Sequence, residues 1–288
     1  MSTLMKIEFS VPAEKADDCN AFLAPKVSHG WEEIPETEGD RMLFRIFLED
    51  HPLGTELTRD IEARFPGCRL SHSEQESEDW AMAWKDFFNP VMCGERFEIL
   101  PPWLSEDGHD GKTHIVIEPK MAFGTGHHPT TSLCLEAIGE IVQKGLVREG
   151  MRFLDLGTGS GILGIGLCKL GLKGIGLDID PQAIACAQEN LETNNVAESM
   201  RLAVGSVESL DAGHEFDVVV ANILSGPLIE MAVDIVPHVR PEGVLVLSGI
   251  LNEQAQAVAA AYERRGIGQP VITSQGEWAV LVWDSVRR

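Results

Sequence analysis

The 288-residue sequence predicts an α/β protein: a doubly wound, mostly parallel sheet closing in an antiparallel hairpin, preceded by a small α+β module. Three observations predict it. From His114 onward, short apolar runs (THIVIEP, MRFLDL, GIGLDI, FDVVVAN, GVLVLSG) alternate with helical stretches, as expected of strands buried on both faces of a parallel sheet. The final runs, PVITSQ and EWAVLVWD, meet at Gly276 and Glu277 and so predict a hairpin, which puts an antiparallel edge on that sheet. A glycine-rich turn from Asp155 to Gly161 joins one of the strands to a helix.

In chain order, the first seventy-odd residues alternate β-like and helical runs: KIEFSV, EKADDCNAFLA, RMLFRIFL and ELTRDIEARF. This spacing suits a two-layer module of ferredoxin-like type over residues 1–75. Next comes a charged segment that turns aromatic, with Trp80, Trp84 and Phe87 at i, i+4 and i+7, the spacing of one packed helix face. With Pro101, Pro102 and the polar SEDGHDGKTH, residues 76–112 read as an interdomain connection. Residues 113–288 then form the Rossmann-like sheet domain, with a helix expected from about Thr131.

Composition narrows the function. A net charge of −22, from 45 acidic and 23 basic residues, argues against a surface that tracks nucleic-acid phosphates and favours a cationic or neutral partner. The six cysteines lack any C-x-x-C pair and read as small buried groups in a reducing compartment. The N-terminus lacks the apolar stretch of a signal peptide, and no apolar run reaches the ~18 residues of a membrane span. A cytoplasmic protein, without membrane association, is expected.

The string D-x-G-x-G-x-G places Asp155 at a strand end, with Gly157, Gly159 and Gly161 before a helix whose free N–H groups suit an anionic group. Gly159, Gly161 and Gly164 also satisfy G-x-G-x-x-G, the dinucleotide string. A carboxylate at Asp155 would repel a pyrophosphate but suit an ammonium or sulfonium cation. Asp178, at the next strand tip, is placed to accept hydrogen bonds from both ribose hydroxyls, which implies an adenosine-bearing cofactor. Asp180 precedes Pro181 and reads as a helix cap. Asn222 closes FDVVVAN, where it either accepts from an incoming amine or serves as turn chemistry. Adjacent His127 and His128 raise a zinc site, but neighbouring side chains diverge and no third ligand is near in sequence, so no metal is expected.

These residues resemble class I S-adenosylmethionine-dependent methyltransferases. Within them, AFGTGHHPTT (122–131), LDLGTGSGIL (154–163), DIDPQA (178–183), ANIL (221–224) and LSGIL (247–251) are together similar to the ribosomal protein L11 methyltransferases. The likeness covers most of residues 80–288; the first seventy-five residues match only in size and alternation. It implies a loop holding Phe123, Gly124 and Gly126 that folds over S-adenosylmethionine, and Thr131 holding the methionine portion. It implies methyl transfer to lysine and N-terminal amines of a basic ribosomal protein; the domain layout makes the N-terminal module the candidate for gripping that protein, and a monomeric enzyme is expected. Binding by Asp155, Gly157, Gly159, Gly161, Asp178 and Asn222 is expected, with Asn222 also orienting the amine. Direct nucleic-acid contact is not expected. The alternatives are an NAD-dependent oxidoreductase, a class I methyltransferase acting on another protein, or one acting on a nucleic-acid amine. The last usually carries N-P-P-[YF], where this chain has Asn222, Ile223, Leu224 and Ser225.

Overall fold

The computed structural model describes residues 3–23, 26–27, 31–36, 41–48, 51–76, 90–118 and 128–287. The chain divides into two compact units, Met1–Phe88 and Asn89–Arg288. The aromatic stripe Trp80, Trp84 and Phe87 lies outside the described residues.

The first unit runs β1 (Thr3–Pro12), α1 (Ala16–Leu23), β2 (Glu32–Pro35), β3 (Arg41–Leu48), α2 (His51–Arg64) and β4 (Arg69–Glu76). Its strands form an antiparallel sheet in the order β2-β3-β1-β4. Alternation on the central strands buries Ile7, Phe9 and Val11 with Phe44, Ile46 and Leu48, and Leu57 and Ile61 of α2 complete the core. Phe9 stacks on Phe44 at 5.1 Å between ring centroids. The sequence reading misses β2 and β4. Both are edge strands of polar composition, EEIP and RLSHSEQE, and an edge strand needs only one ladder partner.

The second unit opens with a three-stranded sheet, β5 (Val91–Cys93), β6 (Phe97–Leu100) and β7 (Thr113–Val116). Two expectations change here. THIVIEP is not in the large sheet, because β7 pairs in parallel with β6. Residues 90–112 are not an open connection either: Cys93, Phe97 and Ile99 join the main core. The segment 101–112 is fastened by Glu98, fully buried, which accepts from the His109 backbone N–H at 2.7 Å and meets His109 Nδ1 at 2.7 Å. Burial alone would raise this carboxyl, but its hydrogen bonds to His109 outweigh that and hold it below the ordinary range.

The large sheet comprises β8 (Arg152–Leu156), β9 (Lys173–Asp178), β10 (Met200–Val204), β11 (Phe216–Asn222), β12 (Val239–Leu251), β13 (Val271–Gln275) and β14 (Trp278–Trp283). Their order is β10-β9-β8-β11-β12-β14-β13. Only β14 runs against its neighbours, so the parallel sheet ends in the expected hairpin. β10 is not anticipated from sequence, because as an edge strand it leaves most of MRLAV partly or fully exposed. Helices α3 (Pro129–Gln143), α4 (Ile162–Lys169), α5 (Pro181–Thr193), α6 (Ser225–Glu230), α7 (Ala232–His238) and α8 (Ala255–Glu263) complete the unit. Phe153, Val218, Val220, Val244 and Val246 enter one apolar cluster, while Leu154, Leu156, Val219, Leu245 and Leu247 enter the other. Alternate residues of the same strands thus face two cores, which is why these runs are apolar throughout.

Asn194 ties β7 to the end of α5. Buried at 4% exposure, it accepts from Val116 N–H at 2.8 Å and donates to Val116 O. Asn194→Ala leaves both backbone groups unpaired and is expected to cost about 2–4 kcal/mol in denaturant unfolding, with faster hydrogen exchange at Val116. A change under ~0.5 kcal/mol contradicts this account.

Candidate active site

Strand order creates the site. From β8 the chain winds outward through β9 and β10, whereas β11 begins the other half of the sheet. Where the winding reverses, the carboxyl ends of neighbouring β8 and β11 border a crevice that no crossover covers.

Asp155 lies in β8, only 1% exposed. Its Oδ2 accepts from Thr158 Oγ1 at 2.7 Å and from the Gly164 N–H at 3.0 Å. Helix α4 starts from Gly161, which has no side chain to cap it, so Asp155 takes that part from beneath. The expectation of a carboxylate open at the strand tip is corrected: the first turn of α4 roofs it over. Burial pushes the Asp155 carboxyl up to about 6, against the lowering effect of its two donors, and the charge of Asp178 pushes the same way.

The turn itself is packed by protein. Gly157 has φ +72°, and a Cβ there would stand 2.3 Å from Ile223 Cγ2. The Gly157 and Thr158 N–H groups both donate to Leu177 O, and Asn190 Nδ2 donates to Ser160 O at 2.8 Å. Thus Gly157 is demanded by a neighbouring strand tip as well as by any ligand.

Asp178 ends β9 half-buried. One oxygen accepts from Gly159 N–H at 2.9 Å and the other from Asp180 N–H at 3.0 Å. A carboxylate offers about four acceptor positions, so capacity remains on both oxygens. Asp180 caps α5 as expected, accepting from Gln182 N–H at 2.8 Å. Beside Asp178, Ile179 is 78% exposed, and Val204, the register partner of Asp178, is 54% exposed. The sequence reading passes over both because aliphatics that end a strand look like core. Their position at or just past the tip is the signal it misses.

On the β11 side, Asn222 Nδ2 donates to Thr131 Oγ1 at 3.4 Å across ninety-one residues of sequence. Thr131 is buried in the first turn of α3. That helix is capped by His128, whose Nδ1 meets Thr130 Oγ1 at 2.8 Å and whose ring lies edge-on to Trp278. After Asn222 the backbone presses on β12: a Cβ at Gly249, φ +82°, would lie 2.2 Å from Ile223 O. Leu224 follows, 71% exposed. Phe123 and Gly126 lie outside the described residues. Among the described residues no group of three His, Cys, Asp or Glu side chains could hold a metal ion.

The crevice therefore combines an acceptor-rich acid, main-chain amides, bare aliphatic surface and one amide side chain. It is equipped to bind and orient. The sequence profile of the family described as "Ribosomal protein L11 methyltransferase (PrmA)" matches residues 40–285. A ribosomal protein L11 methyltransferase of Aliivibrio fischeri is 43% identical over 263 residues, covering 89% of this chain and 86% of the relative. One from Haemophilus ducreyi is 45% identical over 206 residues, covering 70% and 67%. Among solved structures, a ribosomal protein L11 methylase from Lactobacillus delbrueckii subsp. bulgaricus is similar with a TM-score of 0.61 and 27% identity, over 70% of this chain and all of that one.

The raised Asp155 carboxyl has a sign that can be checked. Its folded value of about 6 exceeds the ordinary 3.8 of an exposed aspartate, so its contribution to stability is fully present below about pH 4 and lost as pH rises through about 6. Removing the carboxyl charge in Asp155→Asn is expected to flatten that part of the stability curve between pH 4 and 7. Asp155→Ala, which orphans two donors, should cost about 2–4 kcal/mol in urea unfolding. Identical pH profiles for wild type and Asp155→Asn contradict the assignment.

Proposed function

The chain belongs to the ribosomal protein L11 methyltransferase family, and from that premise we propose that it transfers methyl groups from S-adenosyl-L-methionine to lysine and N-terminal amines of ribosomal protein L11. The observation that carries this reading is Asp178, a half-buried carboxylate with spare acceptor capacity beside the bare aliphatics Ile179 and Val204. An adenosine fits such a place: its sugar diol donates to the acid, and its flat base covers aliphatic surface. Gly159 brings main chain to the same spot, and Asp155 and Asp178 give it the negative potential a sulfonium cation favours.

S-adenosyl-L-methionine, when bound, supplies the electrophilic methyl group. The chain must present a neutral nitrogen lone pair in line with it. A lysine has a reference pKa of ~10.4, so it arrives charged, and exclusion of water from the crevice lowers that value. Asn222 suits the orienting part. Its Nδ2 is committed to Thr131, which leaves the amide oxygen and its own carbonyl as acceptors for the amine. Leu224 gives the aliphatic stem of a lysine a surface to lie on. No base–nucleophile pair is needed, because positioning carries the rate. Phe123, Gly126 and the methionine-holding part of Thr131 are assigned by family resemblance.

The acidic chain favours encounter with a basic protein. The first unit is assigned to gripping it, and the enzyme is placed in the cytoplasm as a monomer. Among the described residues no helix is long and apolar enough to cross a membrane.

Mass spectrometry of purified L11 incubated with the enzyme and S-adenosyl-L-methionine is expected to show added methyl groups; an unchanged mass rejects the proposal. Asp178→Ala should weaken donor binding by calorimetry about tenfold to a hundredfold, with the fold intact by circular dichroism. Unaltered affinity, or heat from NAD in place of the donor, sinks the site assignment.

A further inference from the structure

A second opening lies at the amino end of the large sheet, a cavity of about 340 Å³ bordered by Arg152, Lys173, Arg201, Glu198, His214 and Phe216. Along β9, Lys173 and Asp178 are five residues apart, roughly 16 Å at the rise of a strand, so this cavity is separate from the crevice above. Its make-up follows from strand register. Arg152 of β8 is the direct partner of Lys173 on β9, and Ile175, two residues on, is the partner of Arg201 on β10. Paired residues share a face, as do residues two apart on a strand, so three cations stand side by side on one face of the sheet.

That row is unusual in a chain of net charge −22. Like charges directly opposed across strands repel, and the natural remedy is a carboxylate between them. None is supplied: Lys173 and Arg201 have no ion-pair partner among the described residues, and Glu198, although it borders the cavity, makes no such pair. Arg152 donates to a backbone carbonyl, that of Glu215, at 2.8 Å. Nearby Asp217 accepts from Arg152 N–H, and its charge is engaged with Arg240 at 2.7 Å. Next to the row, the His214 ring lies flat on buried Phe216, centroids 4.9 Å apart and planes 10° apart. His238 Nδ1 meets the His214 carbonyl at 2.6 Å and steadies that backbone.

We propose that this cavity is a second binding site, for a compact phosphorylated ligand bearing a flat heterocycle, in class a nucleoside diphosphate. Its phosphates answer Lys173 and Arg201, which have no ion-pair partner among the described residues, together with Arg152, whose guanidinium is engaged only by a backbone carbonyl, and its base stacks on His214. The volume falls within the range of small-molecule sites, about 300–1,000 Å³. A nucleic-acid strand offers the same phosphate chemistry but must run on past the cavity. The chain it would then cross has a net charge of −22, which disfavours a polyanion.

The test is calorimetry on the full chain, with the crevice saturated by S-adenosylhomocysteine so that added nucleotide cannot bind there. Probes are guanosine diphosphate, guanosine, pyrophosphate and a short single-stranded RNA. Guanosine diphosphate is expected to bind at least about tenfold more tightly than guanosine or pyrophosphate, and more weakly as salt rises. The double variant Lys173→Glu/Arg201→Glu, both at exposed positions, should lose about tenfold or more of that affinity while S-adenosylhomocysteine binds as before. Lys173→Gln serves if the charge-reversed variant does not fold, with a smaller loss in the same direction. Absence of heat from guanosine diphosphate, undiminished affinity in the variants, or preference for the RNA overturns the proposal. Failure of S-adenosylhomocysteine itself to bind would count against the reading of the crevice, and shows up as a separate result.

Discussion

One buried carboxylate holds the crevice end of the large sheet together. Asp155 sits beneath the turn between β8 and α4, and its two donors, Thr158 Oγ1 and Gly164 N–H, bracket Gly159 and Gly161. The turn is thereby fixed from inside, leaving its outer surface to main chain. Gly159 can then donate to Asp178, and the first turn of α4 keeps its place over the sheet. The interaction is costly for an acid so deeply buried, which its raised carboxyl records. The charge is kept where its field reaches the crevice, and an apolar replacement would lack that field.

The second constraint is strand order. Because β8 and β11 are adjacent but belong to opposite halves of the winding, Thr131, Asp155, Asp178 and Asn222 gather around one crevice although they span more than ninety residues. Distant pieces meet through single contacts: Asn222 with Thr131, Gly157 with Ile223, Gly249 with Ile223 O. Such packing leaves little room for variation at the strand tips. It also leaves Ile179, Val204 and Leu224 uncovered at or just past the strand tips.

Charge is distributed with the same polarity along the strands. Their carboxyl ends carry Asp155, Asp178 and Asp180, while the amino ends of β8, β9 and β10 carry Arg152, Lys173 and Arg201. A cationic donor and an anionic ligand would thus be sorted to opposite edges of one sheet.

The sequence alone determined the parallel sheet, the closing hairpin, the glycine turn and the acid at the second strand tip, because each is written in local periodicity or in a few adjacent residues. It also determined the cap at Asp180, since capping is a matter of neighbouring positions. Edge strands β2, β4 and β10 escaped it, as one-sided pairing imposes no apolar pattern. So did the separate sheet of β5, β6 and β7, because an apolar run fixes strand character but leaves the partner open. Only the tertiary structure decided that Asp155 faces inward as a cap, that Asn222 meets Thr131, and that three cations line up across β8, β9 and β10. Those are facts of register and burial, set by which strands lie side by side, and no stretch of sequence contains them.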